Sequence, residues 1–104
     1  MNTAVNLSEG QLSLVRDILT NHLIGHKGLR VLAFGSRVAG LPKPLSDLDL
    51  ALESDEKLEM RSIWSLKAAF QESDLNIQVD VVDLARVDPE FRKIIEAETI
   101  PFWP

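Results

Sequence analysis

The stretch Gly35-Ser36-Arg37-Val38-Ala39-Gly40-Leu41-Pro42-Lys43-Pro44-Leu45-Ser46-Asp47-Leu48-Asp49-Leu50 joins a Gly-Ser turn to two carboxylates one residue apart. Gly35 lets the backbone turn sharply, and Ser36 with the N–H groups that follow can cradle phosphate oxygens. Pro42 and Pro44 keep the loop between from continuing as helix or strand. From Asp47 acid and leucine alternate, so on a strand Asp47 and Asp49 share one face while Leu48, Leu50 and Leu52 face the core. Two acids side by side resist joint ionisation unless a cation neutralises them, so the pair invites a divalent metal. The stretch outlines a phosphoryl-transfer site.

Working outward, Ser8 with Gln11 three residues on reads as a capping box. Leu12, Val15, Leu19 and Leu23 follow at helical spacing, and Gly25 marks the end. Leu29 to Phe34 reads as a buried strand that delivers the chain to Gly35. Asp47 to Glu53 is a second strand. From about Asp55 to Gln71 the pattern turns helical, with Leu58, Trp64 and Ala68 as buried candidates. Asn76 to Leu84 is a third strand, with Ile77, Val79 and Val81 on one face and Gln78 and Asp80 on the other. Asp88-Pro89-Glu90 supplies an N-cap, a proline at the first helical position and an early acid. The last helix, carrying Phe91, Ile94 and Ile95, ends before Pro101. The order α-β-β-α-β-α predicts an α/β (α+β) chain: a small mixed β-sheet with helices on one face and a polar working face on the other.

The chain of 104 residues is expected to be a single domain, 1–104, with one modest core. Hydrophobic content of 45% and charged content of 26% are those of an ordinary globular protein, and no apolar run is long enough to span a bilayer. No membrane association and no signal peptide are expected. Without cysteine, disulfides and thiolate metal sites are excluded, which fits a cytoplasmic location. A net charge of −5 excludes a broad nucleic-acid surface held by counterion release. A small nucleotide carried on a metal remains compatible, because the cation supplies the positive charge.

Gly35-Ser36, ten intervening residues, then Asp47-x-Asp49, with Val79-Asp80-Val81 on a later strand, resembles the signature of the DNA polymerase beta-like nucleotidyltransferase superfamily. More narrowly the chain resembles the minimal nucleotidyltransferases of prokaryotes, which pair with HEPN-domain proteins as toxin–antitoxin modules. The resemblance covers nearly the whole chain. It implies the nucleotidyltransferase fold, a nucleoside triphosphate (ATP) as substrate, Mg2+ in a two-metal site, and a HEPN partner bearing the acceptor hydroxyl. It also implies that a partner or a second copy supplies the wall that larger relatives build from an added helical domain.

On this reading Asp47 and Asp49 hold the nucleotide-bound ion, while Asp80 completes a second site and helps activate the attacking hydroxyl. Asp83 is the rival of Asp80, but strand alternation places it on the Val79 and Val81 face, where it ends the strand or caps a turn. Ser36 lacks the setting of a nucleophile, since no Gly-x-Ser-x-Gly elbow and no nearby histidine accompany it. A hydroxyl donor to the triphosphate is the better role, with Gly35 giving backbone access. Arg37 is a phosphate contact or an exposed loop residue, and Lys43 a weaker candidate of the same kind. His22 and His26 have helical ligand spacing but no third ligand. Trp64 is expected in the core. Phe102 and Trp103 either fold back on the domain or join an interface, so association through an exposed C-terminal end is expected. Two other functions stand beside the first: a module that neutralises its partner by masking, and a transferase acting on a small molecule.

Overall fold

The computed structural model describes residues 5, 7–26, 28–39, 47–55 and 57–104. Pro42, Pro44, Gly40 and Lys43 therefore lie outside the described residues. The first helix, α1 (Glu9–Leu23), opens on the expected capping box. Gln11 N–H donates to Ser8 Oγ at 3.1 Å, and Ser8 N–H donates to Gln11 Oε1 at 3.0 Å. Val15, Ile18, Leu19 and Leu23 form its buried stripe, and Gly25 leaves the helix at φ 95°.

Four strands follow: β1 (Arg30–Phe34), β2 (Leu48–Glu53), β3 (Val79–Asp83) and β4 (Ile100–Trp103). They form one sheet in the order β3-β2-β1-β4, antiparallel except for the parallel β2–β3 pair. A parallel pair needs a crossover, and α3 (Met60–Gln71) supplies it. Between β1 and β2 a four-residue helix, α2 (Ser36–Ala39), occupies part of what reads as loop in the sequence. The last helix, α4 (Pro89–Ala97), is capped as expected, with Asp88 Oδ1 accepting from Glu90 N–H at 3.3 Å.

The fold class stands as a mixed-sheet nucleotidyltransferase fold, with adjustments in its parts. The main core lies between the sheet and α1 and α3, where Val31, Ala33, Leu48, Leu50, Leu52 and Val81 meet Leu19, Ile63, Leu66 and Phe70. The helices are not all on that side. Ile95 of α4 packs with Leu32, Ala51 and Leu84 on the opposite face, so α4 covers part of the face expected to be free.

Helix α3 starts later than expected and is rotated. It buries Ile63, Leu66 and Phe70, whereas Trp64 is 63% exposed and Ala68 is exposed. Ile63-Leu66-Phe70 places three large apolar groups on one stripe, more than the Trp64-Ala68 stripe offers, and the sheet takes the richer face. Leu58 is buried ahead of the helix.

At the C-terminal end the fold-back alternative holds, and the expectation of an exposed, associating end is corrected. Phe102 is only 4% exposed and lies in the main core, within β4 against β1. Trp103 Nε1 donates to Thr20 Oγ1 at 3.0 Å, and the Arg16 guanidinium sits 5.5 Å from the Phe102 ring centroid. The expected exposed pair is absent, because the edge of β1 offered it a hydrogen-bonded berth. Pro101 hid this strand in the sequence, although proline is tolerated on an edge. Among the described residues no helix is long and apolar enough to cross a membrane.

Candidate active site

The parallel register of β2 and β3 sets Asp49 directly beside Asp80, and Leu48 N–H, donating to Gln78 O at 2.9 Å, pins that end of the pair. On the other side Phe34 of β1 is paired with Asp49. Directly paired residues share a face, so Phe34, Asp49 and Asp80 form a row across three strands. Asp47, one residue before β2, is exposed; Asp49 is half-buried and Asp80 exposed. Strand phase thus sets the sequence-predicted acids Asp49 and Asp80 side by side at one end of one sheet face, with Asp47 near enough to act on Asp49.

Electrostatics follow from that row. Burial pushes the Asp49 carboxyl above its usual range, and the neighbouring carboxylates of Asp80 and then Asp47 push it in the same direction.

Gly35 ends β1 at φ 82°, a conformation that L side chains rarely adopt. A Cβ there would also collide with Asp49 Oδ2 and lie 3.1 Å from its Cγ. Glycine is therefore required twice, by the turn and by the approach of backbone to carboxylate. Val38 N–H donates to Gly35 O at 3.0 Å as α2 begins. Ser36 opens α2 beside Asp49, though its side chain lies outside what the structure describes. Arg37 is 5% exposed, so the exposed-loop alternative for it is corrected.

Asp83 proves to be a different kind of acid. It is buried; its Oδ1 accepts from Ala85 N–H at 3.0 Å, and its Oδ2 lies 3.3 Å from Arg86 Nε. Oδ2 makes no hydrogen bond, so the contact with Arg86 is an ion pair of poor directionality. Arg86 Nη2 in turn donates to Leu58 O at 2.6 Å, tying the start of α3 to the end of β3. This is the turn-capping role that alternation assigned to Asp83. The histidines do not form a pair: His22 Nδ1 is 3.0 Å from Ile18 O and His26 is exposed.

A groove of about 700 Å³ runs past Asp49 and Asp80 and around the free edge of β3. Phe34, Val82 and Phe91 line it on the acid face, and Lys67 and Gln71 of α3 line it beyond the edge. Sequence reading missed Phe34 and Phe91 as neighbours of the acids. The place of Phe34, just before Gly35 at the end of a strand, was the available signal; nothing comparable marked Phe91.

The donor set fits a hard divalent cation. All three groups are carboxylates, and the raised Asp49 shows the charge that a cation would relieve. Among the described residues no three ligating side chains converge to enclose an ion. Mg2+ does not demand that, since it commonly takes one or two carboxylates and completes its shell with water and substrate phosphates.

Residues 5–102 match the family model for polymerase beta nucleotidyltransferases. The chain belongs to the polymerase beta nucleotidyltransferase family. It is 42% identical over 91 residues to the probable protein adenylyltransferase MntA of Haemophilus influenzae, covering 88% of this chain and 77% of that protein. Among solved structures, it resembles a toxin–antitoxin crystallised with AMP-PNP, at a TM-score of 0.69 and 22% identity, over 88% of this chain and 72% of the other. It also resembles the toxin–antitoxin MntA-HepT, at a TM-score of 0.63 and 20% identity, over 92% and 72% of the two chains. These two likenesses establish the shared nucleotidyltransferase fold.

Proposed function

We propose that this nucleotidyltransferase moves AMP from ATP to a hydroxyl of a HEPN-domain partner in the cytoplasm, and that it acts as the antitoxin of the pair. The observation that carries the reading is the pairing of Asp49 with Asp80 on one sheet face, with Asp47 one residue ahead of the strand and the Gly35 turn pressed against Asp49. The 42% identity to a probable protein adenylyltransferase supports the adenylyl group and a protein acceptor.

In this scheme the turn at Gly35 and the first N–H groups of α2 receive the triphosphate, with Ser36 and Arg37 as its side-chain contacts. Asp47 and Asp49 would hold the cation that the triphosphate carries, and Asp80 lies beside Asp49, where it can meet an acceptor hydroxyl. The acceptor oxygen attacks the α-phosphorus, the bond from that phosphorus to the β-phosphate oxygen breaks, and pyrophosphate leaves. The acceptor's proton passes to Asp80 and from there to water. Mg2+, held by Asp47, Asp49 and Asp80, would neutralise the carboxylates and the phosphates.

Incubating the protein with Mg2+ and ATP labelled at the α-phosphate, with and without the HEPN protein encoded beside it, tests the proposal. Label on the partner that disappears in Asp49→Asn is the expected result. A tight complex without label would favour masking, and label on a small metabolite alone would favour a small-molecule acceptor.

A further inference from the structure

Phe34 and Ala51 shape the space in which the Asp49 carboxyl stands. Register sets Phe34 opposite Asp49, and the next row on the same face is Leu32, Ala51 and Val82. Directly paired Cβ atoms lie only ~4.5–5.5 Å apart and diagonal neighbours ~7–8 Å, so an aromatic ring at Phe34 reaches both Asp49 and Ala51. The ring does not choose its direction freely. Phe34 packs against the cluster of Leu32, Ala51, Leu84 and Ile95, which lies behind the row of acids and away from the Gly35 turn. Ala51 is completely buried and carries only a methyl group, which leaves room for the ring beside Ile95.

The carboxyl stands on the opposite side. Asp49 Oδ2 presses against Gly35, so closely that a Cβ at Gly35 would collide with it. Since Leu32 is paired with Ala51 and Phe34 with Asp49, Gly35 adjoins the acid row on the side remote from Ala51. A side chain at position 49 has two directions along the strand, and Asp49 takes the one that the Phe34 ring leaves vacant. Rotamers are discrete, so a blocked direction removes a whole staggered well instead of biasing a continuum. Without the ring, the Asp49 carboxyl would be free to turn toward Ala51, away from the turn assigned to the triphosphate.

We propose that Phe34 is a positioning residue for nucleotidyl transfer: its ring, seated beside Ala51, holds the Asp49 carboxyl against the Gly35 turn. This rests on the proposed function and names a residue that acts through Asp49 without touching the reacting atoms. Phe34 and Gly35 then work as a pair, one by filling space on the far side of the carboxyl and the other by leaving it open on the near side.

The test reads the Asp49 side chain directly, by NMR of the isotope-labelled chain without metal or nucleotide. Three-bond couplings from Asp49 Cγ to its own amide nitrogen and carbonyl carbon report whether χ1 is fixed or averaged. The wild type should show one fixed rotamer. Phe34→Ala should average the couplings and lower kcat/KM for ATP roughly tenfold or more, since a misplacement of ~1 Å in a catalytic site can cost ~100-fold. Phe34→Val, a smaller truncation, carries the test if alanine prevents folding, and Phe34→Tyr, which keeps the ring, should retain both the fixed rotamer and the activity. Ile95→Val loosens the same apolar cluster away from Asp49; it should lower the melting temperature yet leave the couplings fixed. An averaged rotamer in the wild type or in Phe34→Tyr, a fixed one in the folded truncations, or equal averaging in Ile95→Val would overturn the positioning role. Couplings that behave as expected in a chain that transfers no label count instead against the proposed function, so the two failures are told apart.

Discussion

Replacing Asp49 with asparagine should make the metal-free protein more stable while removing its activity. Asp49 and Asp80 are paired on adjacent parallel strands, whose spacing is about 4.8 Å. Two unit charges some 6 Å apart repel by roughly 1.4 kcal/mol at an effective dielectric constant of ~40, and by about twice that at ~20. Asp80 is exposed, so the lower figure applies, and the burial of Asp49 adds to it with the same sign. Asparagine keeps the shape and removes the charge, so a gain of about 1–2 kcal/mol is expected at neutral pH. For a domain of this size that corresponds to roughly 5–10 °C in Tm. The sign with pH follows from the raised Asp49 carboxyl. In acid, below the unfolded-state value, both states are protonated and the wild type has no penalty. The penalty grows as pH rises to the folded-state value and is complete above it. The advantage of Asp49→Asn should therefore be largest above the raised folded-state value of Asp49 and vanish in acid below the ordinary carboxylate range. Thermal melts of both proteins across that range provide the assay. Mg2+ supplies a second arm: at a hundredfold excess over Kd it should stabilise the wild type by about 2.7 kcal/mol and the variant far less. A variant that melts lower than wild type at neutral pH, or a gain that persists unchanged in acid, would refute the crowded-carboxylate account.

Asp80→Asn should disable transfer with less effect on ATP binding than Asp47→Asn or Asp49→Asn, as measured by single-turnover labelling and calorimetry; equal loss of ATP affinity in all three would dissolve the division of roles. Asp83→Asn should leave the activity of folded molecules intact yet cost about 1–3 kcal/mol in denaturant titrations, because it weakens the pairing of a buried carboxylate with the partly exposed Arg86. An undiminished midpoint would argue against the Asp83–Arg86 clamp. Gly35→Ala should lower transfer at least ~100-fold and stability by about 1–3 kcal/mol, since it strains the turn and drives a methyl group into Asp49; wild-type kinetics would show that the turn has no bearing on the chemistry. Truncation before Ile100 should cost at least about 3–5 kcal/mol, the range for losing a buried phenylalanine, with loss of partner binding only as a consequence of unfolding. A truncated chain that melts like the intact one would restore the expectation of an interface at that end.

Local chemistry explains what the sequence determined alone. Helix α1 could be placed because Ser8, Gln11 and Gly25 act on their own neighbours, and Asp88-Pro89-Glu90 did the same for α4. The period of two along a strand put Asp47, Asp49 and Asp80 on polar faces and Asp83 on a buried one; Asp49, Asp80 and Asp83 lie as alternation requires, while Asp47 stands one residue ahead of its strand. Other features depended on what each element found opposite it. The strand at Ile100–Trp103 exists because β1 had an unpaired edge, and no local pattern in Pro101-Phe102-Trp103-Pro104 announces such an edge. The rotation of α3, which exposes Trp64 and buries Ile63, was decided by the sheet surface it packs on. The arrival of α4 on the acid face likewise came from tertiary packing of Ile95 on Leu32 and Ala51. A residue's chemical type and its strand phase are properties of the chain; its neighbours across the sheet are set only when the strands pair, which is why the acids could be read in advance and Phe91 could not.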